Sequence, residues 1–346
     1  MRTRTRATRW AAGWLGFAVA ATGLAACSHG SPEASPGAST TTTVSASPTP
    51  DPWADKGRLN VLVLGSDAGP DRTGERTDVV IVASIDTKTG NMVLIGVPRN
   101  MQYVRFKPGT PMASRFPSGF PDFMFGIYTY AASHPEVMPG SKNPGADLLK
   151  EAIGYNLGIQ IDYYVLINMQ GFRNIIKTVG GLDIRVAQPL VIGRGGRYLL
   201  PKLYLDMDSY QTLWYARSRK NTTDYSRMAR QRCVLTALVR QVKPQTLLAK
   251  LPQLTDAGVD SLRTDIPTAR LAAFAVLANR VSKAEIMGIT LGPPAFNDAN
   301  PDWTKITQTV SDAISTSAKA TRKPKRAKIV VQGGVLQSTD AVCLFS

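Results

Sequence analysis

The sequence predicts an α/β fold, a three-layer α-β-α sandwich with a mixed central sheet. Three observations carry that expectation. Leu59–Gly65 reads LNVLVLG, a continuous apolar run of the kind buried on both faces of a strand. Asp78–Ile85 and Met92–Val97 are two further apolar runs, and Asp86–Asn91 between them, DTKTGN, is a hairpin turn that forces an antiparallel pair into the sheet. Beyond them helical patterns alternate with apolar strands, the order that layers helices on a sheet.

The elements follow in order. Gln102–Pro121 is rich in Pro and Gly and reads as loop, and Phe123–Ser133 is weakly helical. Pro144–Gly158 is a helix with Pro near its start. Tyr163–Asn168 is a strand, and Gly171–Val179 a helix stopped by Gly180-Gly181. Leu182–Val186 reads as another strand, and Leu205–Arg217 and Asp224–Val242 as helices. Thr268–Asn279 is a helix, Ala284–Leu291 a strand and Trp303–Ser315 a helix.

The ends of the chain are organised differently. Arg2, Arg4, Arg6 and Arg9 precede an uncharged apolar stretch, Trp10–Ala26, with the pattern of a signal-peptide hydrophobic region. It ends Leu24-Ala25-Ala26-Cys27, which resembles a bacterial lipoprotein signal with Cys27 as the lipidated residue; the alternative is an uncleaved membrane anchor. Either places the body of the protein outside the membrane. Residues 28–52 are rich in Ser, Thr, Pro and Ala and form a tether that can bury no core. The folded domain is expected over 53–316, and 317–346 is a basic linker with a Cys-containing tail. With Cys27 lipidated, Cys233 and Cys343 remain as a pair, a disulfide in an oxidising compartment or two buried thiols.

Composition narrows the chemistry. Lys and Arg number 41 against 25 Asp and Glu, a net charge of +16 that favours anionic partners. No Gly-x-x-x-x-Gly-Lys-Ser/Thr loop is present, which argues against an ordinary NTPase. The 2 histidines, His29 and His134, lie in the tether and beside Pro135, which argues against zinc and Ser/His/Asp hydrolases. Export and the lack of a helix-turn-helix signature argue against nucleic acid as a partner. Carboxylate and arginine chemistry remains.

The arginines concentrate in RSRKNTTDYSRMARQR, residues 217–232. Asp224, Arg227 and Gln231 fall on one helix face at i, i+3, i+7, with Arg217 and Arg219 alternating just upstream as in an extended lead-in. Three guanidiniums and an amide could thus surround one anion; arginine's planar fork suits phosphate, and a pyrophosphate needs several such donors. A surface helix with solvated charges is the plainer alternative. In the N-terminal half, Asp67 follows the first strand, Asp78 opens the second after Arg76-Thr77, and Arg99 follows Pro98 at the end of the third. Two carboxylates at a sheet rim can hold Mg²⁺ with phosphate oxygens, or can simply cap loops.

The segments Asn60–Asp67, Arg76-Thr-Asp78, Val97-Pro-Arg99, Tyr163–Asn168, Val179-Gly-Gly-Leu-Asp183, Tyr215-Ala-Arg-Ser-Arg219 and Asp224-x-x-Arg227-x-x-x-Gln231 occur in the order found in the LytR–CpsA–Psr family, which the chain resembles from about Asn60 to Asp312. Cys233 and Cys343 also resemble its actinobacterial members. The resemblance implies an extracytoplasmic Mg²⁺-dependent phosphotransferase at the outer face of the cell membrane. It would move an anionic glycopolymer (teichoic acid, arabinogalactan or capsule) from a polyprenyl-pyrophosphate carrier to peptidoglycan. It implies Asp67 and Asp78 as metal-site acids, Arg76, Arg99, Arg217, Arg219 and Arg227 as pyrophosphate-binding residues, and Asp224 and Gln231 as the remaining polar members. Phe120, Phe123, Met124, Phe125, Ile127 and Tyr128, or Ile153 and Leu157, are the expected lining of a groove for the prenyl tail. The chain departs from the family pattern at Asn100, at Phe123–Tyr128 and at Met207-Asp208-Ser209. A second reading is therefore a lipoprotein that binds carrier lipid or wall polymer without turnover.

Overall fold

A computed structural model describes residues 51–69, 74–202, 206–220, 222–246, 261–322 and 333–343. The signal peptide, Cys27, nearly all of the tether and most of the basic linker lie outside the described residues. The central sheet is built from β1 (Arg58–Ser66), β2 (Thr77–Asp86), β3 (Met92–Gly96), β4 (Tyr163–Ile167), β7 (Leu262–Thr264), β8 (Ile286–Thr290) and β9 (Gln337–Ser338). Its order is β7-β4-β1-β2-β3-β8-β9. β1 pairs β2 and β2 pairs β3 antiparallel, whereas β1–β4 and β3–β8 are parallel. The sheet is therefore mixed, as the hairpin requires. A small second sheet pairs β5 (Leu190–Ile192) with β6 (Tyr198–Leu200).

Strand periodicity sends alternate residues to opposite faces. On one face Leu62, Leu64, Val80, Val82, Val93 and Ile95 pack under α1 (Pro111–Arg115), α2 (Phe125–Ser133), α3 (Pro144–Leu157) and α8 (Trp303–Ala318). On the other, Leu59, Val61, Ile81, Ala83 and Leu94 meet residues of α6 (Asp224–Gln241) and α7 (Leu271–Val281). A third cluster joins α4 (Met169–Thr178), α5 (Ser209–Arg217), α6 and α9 (Thr339–Cys343) around the small sheet. Both sheet faces are thus covered, giving the three layers.

Helix boundaries follow their caps. Asn143 accepts from Ala146 N and Pro144 occupies the first turn of α3, while Gly158 ends it at φ 68°, a left-handed conformation glycine adopts without penalty. α5 starts at Ser209 rather than Leu205, because Asp208 caps it and Gln211 closes a capping box. Thr223 caps α6 by accepting from Ser226 N. The segment Leu182–Val186 is not a strand: it makes one bridge, Leu182 to Met207, although Leu182, Ile184 and Val186 alternate inward as a strand would. Among the described residues its apolar alternation has no partner ladder. The expected loop 102–121 holds the short α1. Cys233 on α6 and Cys343 on α9 form a disulfide.

Candidate functional site

The site grows from an irregularity in the β1–β2 ladder. Gly65 pairs Val79 but Ser66 pairs Thr77, so the register shifts and Asp78 is left without a Cα partner. Such a bulge re-aims a side chain and frees backbone groups. The freed Asp78 carbonyl lies 3.4 Å from Arg227 Nη2, and its carboxylate is ion-paired to Arg99. Gly65 permits the close crossing, since a Cβ there would sit 2.8 Å from Val79 Cβ. Asp67, one residue past β1, is buried; its carboxylate accepts from Arg76 N at 2.9 Å, and its own N–H donates to Arg76 O at 3.0 Å.

Asp67 and Asp78 face a cavity of about 160 Å³ between the sheet and α4, α5 and α6. Arg217, Arg219, Arg227 and Gln231 line the same cavity. Arg217 is the last residue of α5 and Arg219 lies in the connection to α6, so the expected extended lead-in is a helix end followed by a short link. Arg227 and Gln231 are buried on the inner face of α6. Asp224 stands one step back: it holds Arg227 at 3.0 Å and Arg219 at 3.7 Å, so it orients the arginines. Arg76 and Arg99 do not line the cavity. They stand outside its rim over the Phe125 ring, at 5.8 and 6.0 Å from the centroid.

The nine residues singled out from sequence thus gather at one end of the sheet. Five guanidiniums against three carboxylates leave this group with a surplus of positive charge. Burial lowers the Arg227 pKa from its ordinary value; Asp224 opposes this, and the like charge of Arg99 adds to it. The buried Arg227 Nε has no hydrogen-bond partner among the described residues. An anion entering here relieves the crowding of cations. The other cations of the arginine-rich stretch serve the frame. Arg230 donates to Tyr215 O at 2.8 Å and to Ser218 O, bracing the link that carries Arg217 and Arg219. Arg232 bonds Thr290 Oγ1, and burial pushes its pKa down to about 10. Lys220 donates to Gly195 O at 2.8 Å.

The inner wall of the cavity is apolar: Val63 and Ile81 from the sheet, Phe172 from α4, Leu213 from α5, and Val234 and Leu235 from α6. This overturns the expected groove. Phe120, Met124, Ile127, Tyr128, Ile153 and Leu157 are core under the opposite sheet face, and Phe123 is exposed. From sequence, a strand residue facing a cavity and one facing a core look alike.

Other residues of the site region were missed. Asn168 lines the cavity while capping α4 through Gly171 N at 2.8 Å; an Asn directly after a strand was the available signal. Tyr225 donates to Asp298 Oδ2 at 2.6 Å, and Asn100 Nδ2 donates to the same oxygen at 3.1 Å. Asp298 so ties the neighbours of Asp224 and Arg99 together from a distant part of the chain, which nothing local announces. No cluster of three His, Cys, Asp or Glu residues suited to a metal occurs among the described residues. The donor set at the rim is two aspartates. Magnesium is commonly bound by one or two carboxylates with waters and substrate phosphates, so the set fits that ion's chemistry.

Comparison with known proteins places the fold and the family. The chain is 28% identical over 244 residues to the polyisoprenyl-teichoic acid–peptidoglycan teichoic acid transferase TagU of Oceanobacillus iheyensis, covering 68% of this chain and 69% of that protein. Among solved structures, Bacillus subtilis TagV superposes with a TM-score of 0.54 at 24% identity, covering 77% of this chain and 99% of TagV. TagT bound to LIIa-WTA gives 0.56 at 21% identity, covering 77% and 92%. These likenesses establish a shared fold. A model of the LytR_cpsA_psr family matches residues 26–320, most of the sequence, and the chain belongs to that family.

Proposed function

We propose that this protein is an extracytoplasmic phosphotransferase that moves an anionic glycopolymer from a polyprenyl-pyrophosphate carrier to a sugar hydroxyl of peptidoglycan. One observation carries the reading: Asp67, Asp78, Arg217, Arg219, Arg227 and Gln231 converge on a single cavity whose inner wall is apolar. A prenyl diphosphate has this same division, a charged head and a hydrocarbon tail. The TagU relative, named for polyisoprenyl-teichoic acid, supports a substrate of that class. The polymer proposed for this chain is an anionic glycopolymer: teichoic acid, arabinogalactan or capsule.

The reaction asks little covalent work of the protein. The acceptor hydroxyl oxygen bonds to the glycopolymer-bearing phosphorus and gives up its proton to solvent, the bridging P–O bond breaks, and polyprenyl phosphate leaves with the electron pair. Catalysis is then positioning and charge neutralisation. Arg217, Arg219 and Arg227 hold phosphate oxygens by paired N–H donors, Gln231 adds its amide, and Arg99 and Arg76 receive the outer phosphate side. Asp67 and Asp78 would hold Mg²⁺, which when bound neutralises diphosphate charge. Asp224 is occupied by two arginines and serves their orientation.

The disulfide suits an oxidising compartment, and Cys27 would carry the lipid that anchors this actinobacterial-type member to the outer face of the cell membrane. Among the described residues no helix is long and apolar enough to cross a membrane. The test is release of polyprenyl phosphate from a sugar-bearing polyprenyl diphosphate with a peptidoglycan acceptor. Product is expected with Mg²⁺ and lost with chelator. Tight binding without product under all conditions would replace the reading with a carrier-lipid binding protein.

A further inference from the structure

We infer that Phe123 and Phe125 form a stacking subsite for the first sugar of the carrier-linked polymer; the inference rests on the function proposed above. Phe123 is 37% exposed, although a phenylalanine gains about 1.5–3 kcal/mol by full burial. Its neighbours are fixed. Met124, Ile127 and Tyr128 are in the core, Met124 N donates to Met101 O at 2.8 Å, and Phe125 N donates to Arg99 O at 3.1 Å. The two rings stand 5.7 Å apart between centroids, inclined by 36°. The shelf is therefore preorganised, and it is pinned to the loop that carries Arg99.

Position and charge select the occupant. The ring of Phe125 carries Arg76 and Arg99. Arg99 pairs with Asp78, and Asp78 lines the cavity. The shelf thus lies one side chain outside the diphosphate site, on the side away from the apolar wall. A carrier-linked polymer has a prenyl chain on one side of its diphosphate and a sugar on the other. With the chain against Val63, Ile81, Phe172 and Leu235, the sugar leaves towards Arg99 and the rings. A sugar presents a face of C–H groups that an aromatic ring covers well, while its hydroxyls reach the flanking charges. A bare hydrocarbon would instead be placed against two guanidiniums. Asp122, which accepts from Phe123 N at 2.6 Å, adds a carboxylate at the edge of the shelf for sugar hydroxyls.

The experiment compares two probes on the full-length protein: geranylgeranyl diphosphate, and the same diphosphate esterified to N-acetylglucosamine. The wild type is expected to bind the sugar-bearing probe about tenfold more tightly, about 1.4 kcal/mol. In Phe123→Ala the ratio of the two affinities falls towards one, and Phe123→Trp restores it. Phe125→Ala weakens both probes, because it also removes the ring under Arg76 and Arg99. An unchanged ratio in Phe123→Ala overturns the subsite. So does an intact ratio accompanied by weaker binding to anionic phospholipid vesicles, which would make the shelf a membrane contact. If the wild type binds neither probe, the diphosphate site fails and the subsite with it. If it binds both equally, the subsite alone fails.

Discussion

At the scale of single residues, Arg227 joins frame and chemistry. It is buried, spans from Asp224 on its own helix to the Asp78 carbonyl on β2, and carries an Nε with no hydrogen-bond partner among the described residues. Replacing one charge-stabilising donor typically costs a hundredfold or more in turnover. Arg227→Ala should therefore lose on the order of a hundredfold in the rate of polyprenyl phosphate release. Arg227→Lys should recover only part, because an ammonium keeps the charge but not the fork. Steady-state kinetics of the two variants decide it, and near-wild-type turnover in the alanine variant would remove Arg227 from the chemistry. Asp298 offers a test in pH. Burial pushes its carboxyl above the ordinary value of about 3.9, against the hydrogen bonds from Tyr225 and Asn100. The folded chain therefore holds that proton more tightly than the unfolded chain. The resulting stability is full below the unfolded value and is lost as pH rises through the folded one. Asp298→Asn abolishes this dependence, so the stability of the wild type relative to the variant should fall as pH rises from about 4. Chemical denaturation across that range reads the slope, and a flat difference would deny the buried-carboxyl account.

At the scale of elements, the cavity depends on where α5 and α6 begin and end. Asp208 accepts from Tyr210 N and Gln211 N at 2.8 Å each, and Gln211 returns a bond to Asp208 N at 3.0 Å. Asp208→Ala removes one half of that box and should cost about 1 kcal/mol in equilibrium unfolding. A loss well under half of that would mean packing, not the cap, sets the start of α5. Elements fixed by local chemistry were legible in the sequence. β1, β2 and β3 announce themselves by apolar runs, Asp86–Asn91 by its turn residues, and α3 by Asn143, Pro144 and Gly158. Elements fixed by distant partners were not. β5, β6 and β7 each have three residues, and β9 has two, too short for any period to show. Leu182–Val186 has the alternation of a strand but, among the described residues, only the Leu182–Met207 bridge. The same division holds at the site. Asp224, Arg227 and Gln231 were readable from helical spacing, because one helix carries them. The apolar wall and the Asp298 strap were not, because each depends on segments far apart in sequence meeting in space.

At the scale of the whole molecule, the C-terminal segment fastens the helix that carries Arg227 and Gln231. β9 adds to the sheet edge at β8, and Thr339 Oγ1 donates to Ile286 O at 2.8 Å. On α9, Asp340 receives Arg240 of α6 through both oxygens at 3.1 and 2.8 Å, and Cys343 bonds Cys233 of the same helix. The disulfide closes a separation of 110 residues, a long loop whose constraint in the unfolded chain is worth about 2–5 kcal/mol. Cys343→Ser should lower stability by about that amount. The covalent link and the Arg240–Asp340 pair also act on one another. While the bond is intact, α9 is held at high effective concentration beside α6. Asp340→Ala should then be tolerated better in the oxidised protein than in the Cys343→Ser background, where the ion pair is a main attachment left to that helix. Thermal unfolding of the four proteins, with and without reductant, forms a double-mutant cycle. Reductant should bring the wild type to the stability of Cys343→Ser and leave that variant unchanged. Additive losses in the cycle would show that the two fastenings act independently, and that the tail is a passive staple and not a cooperative clamp on α6.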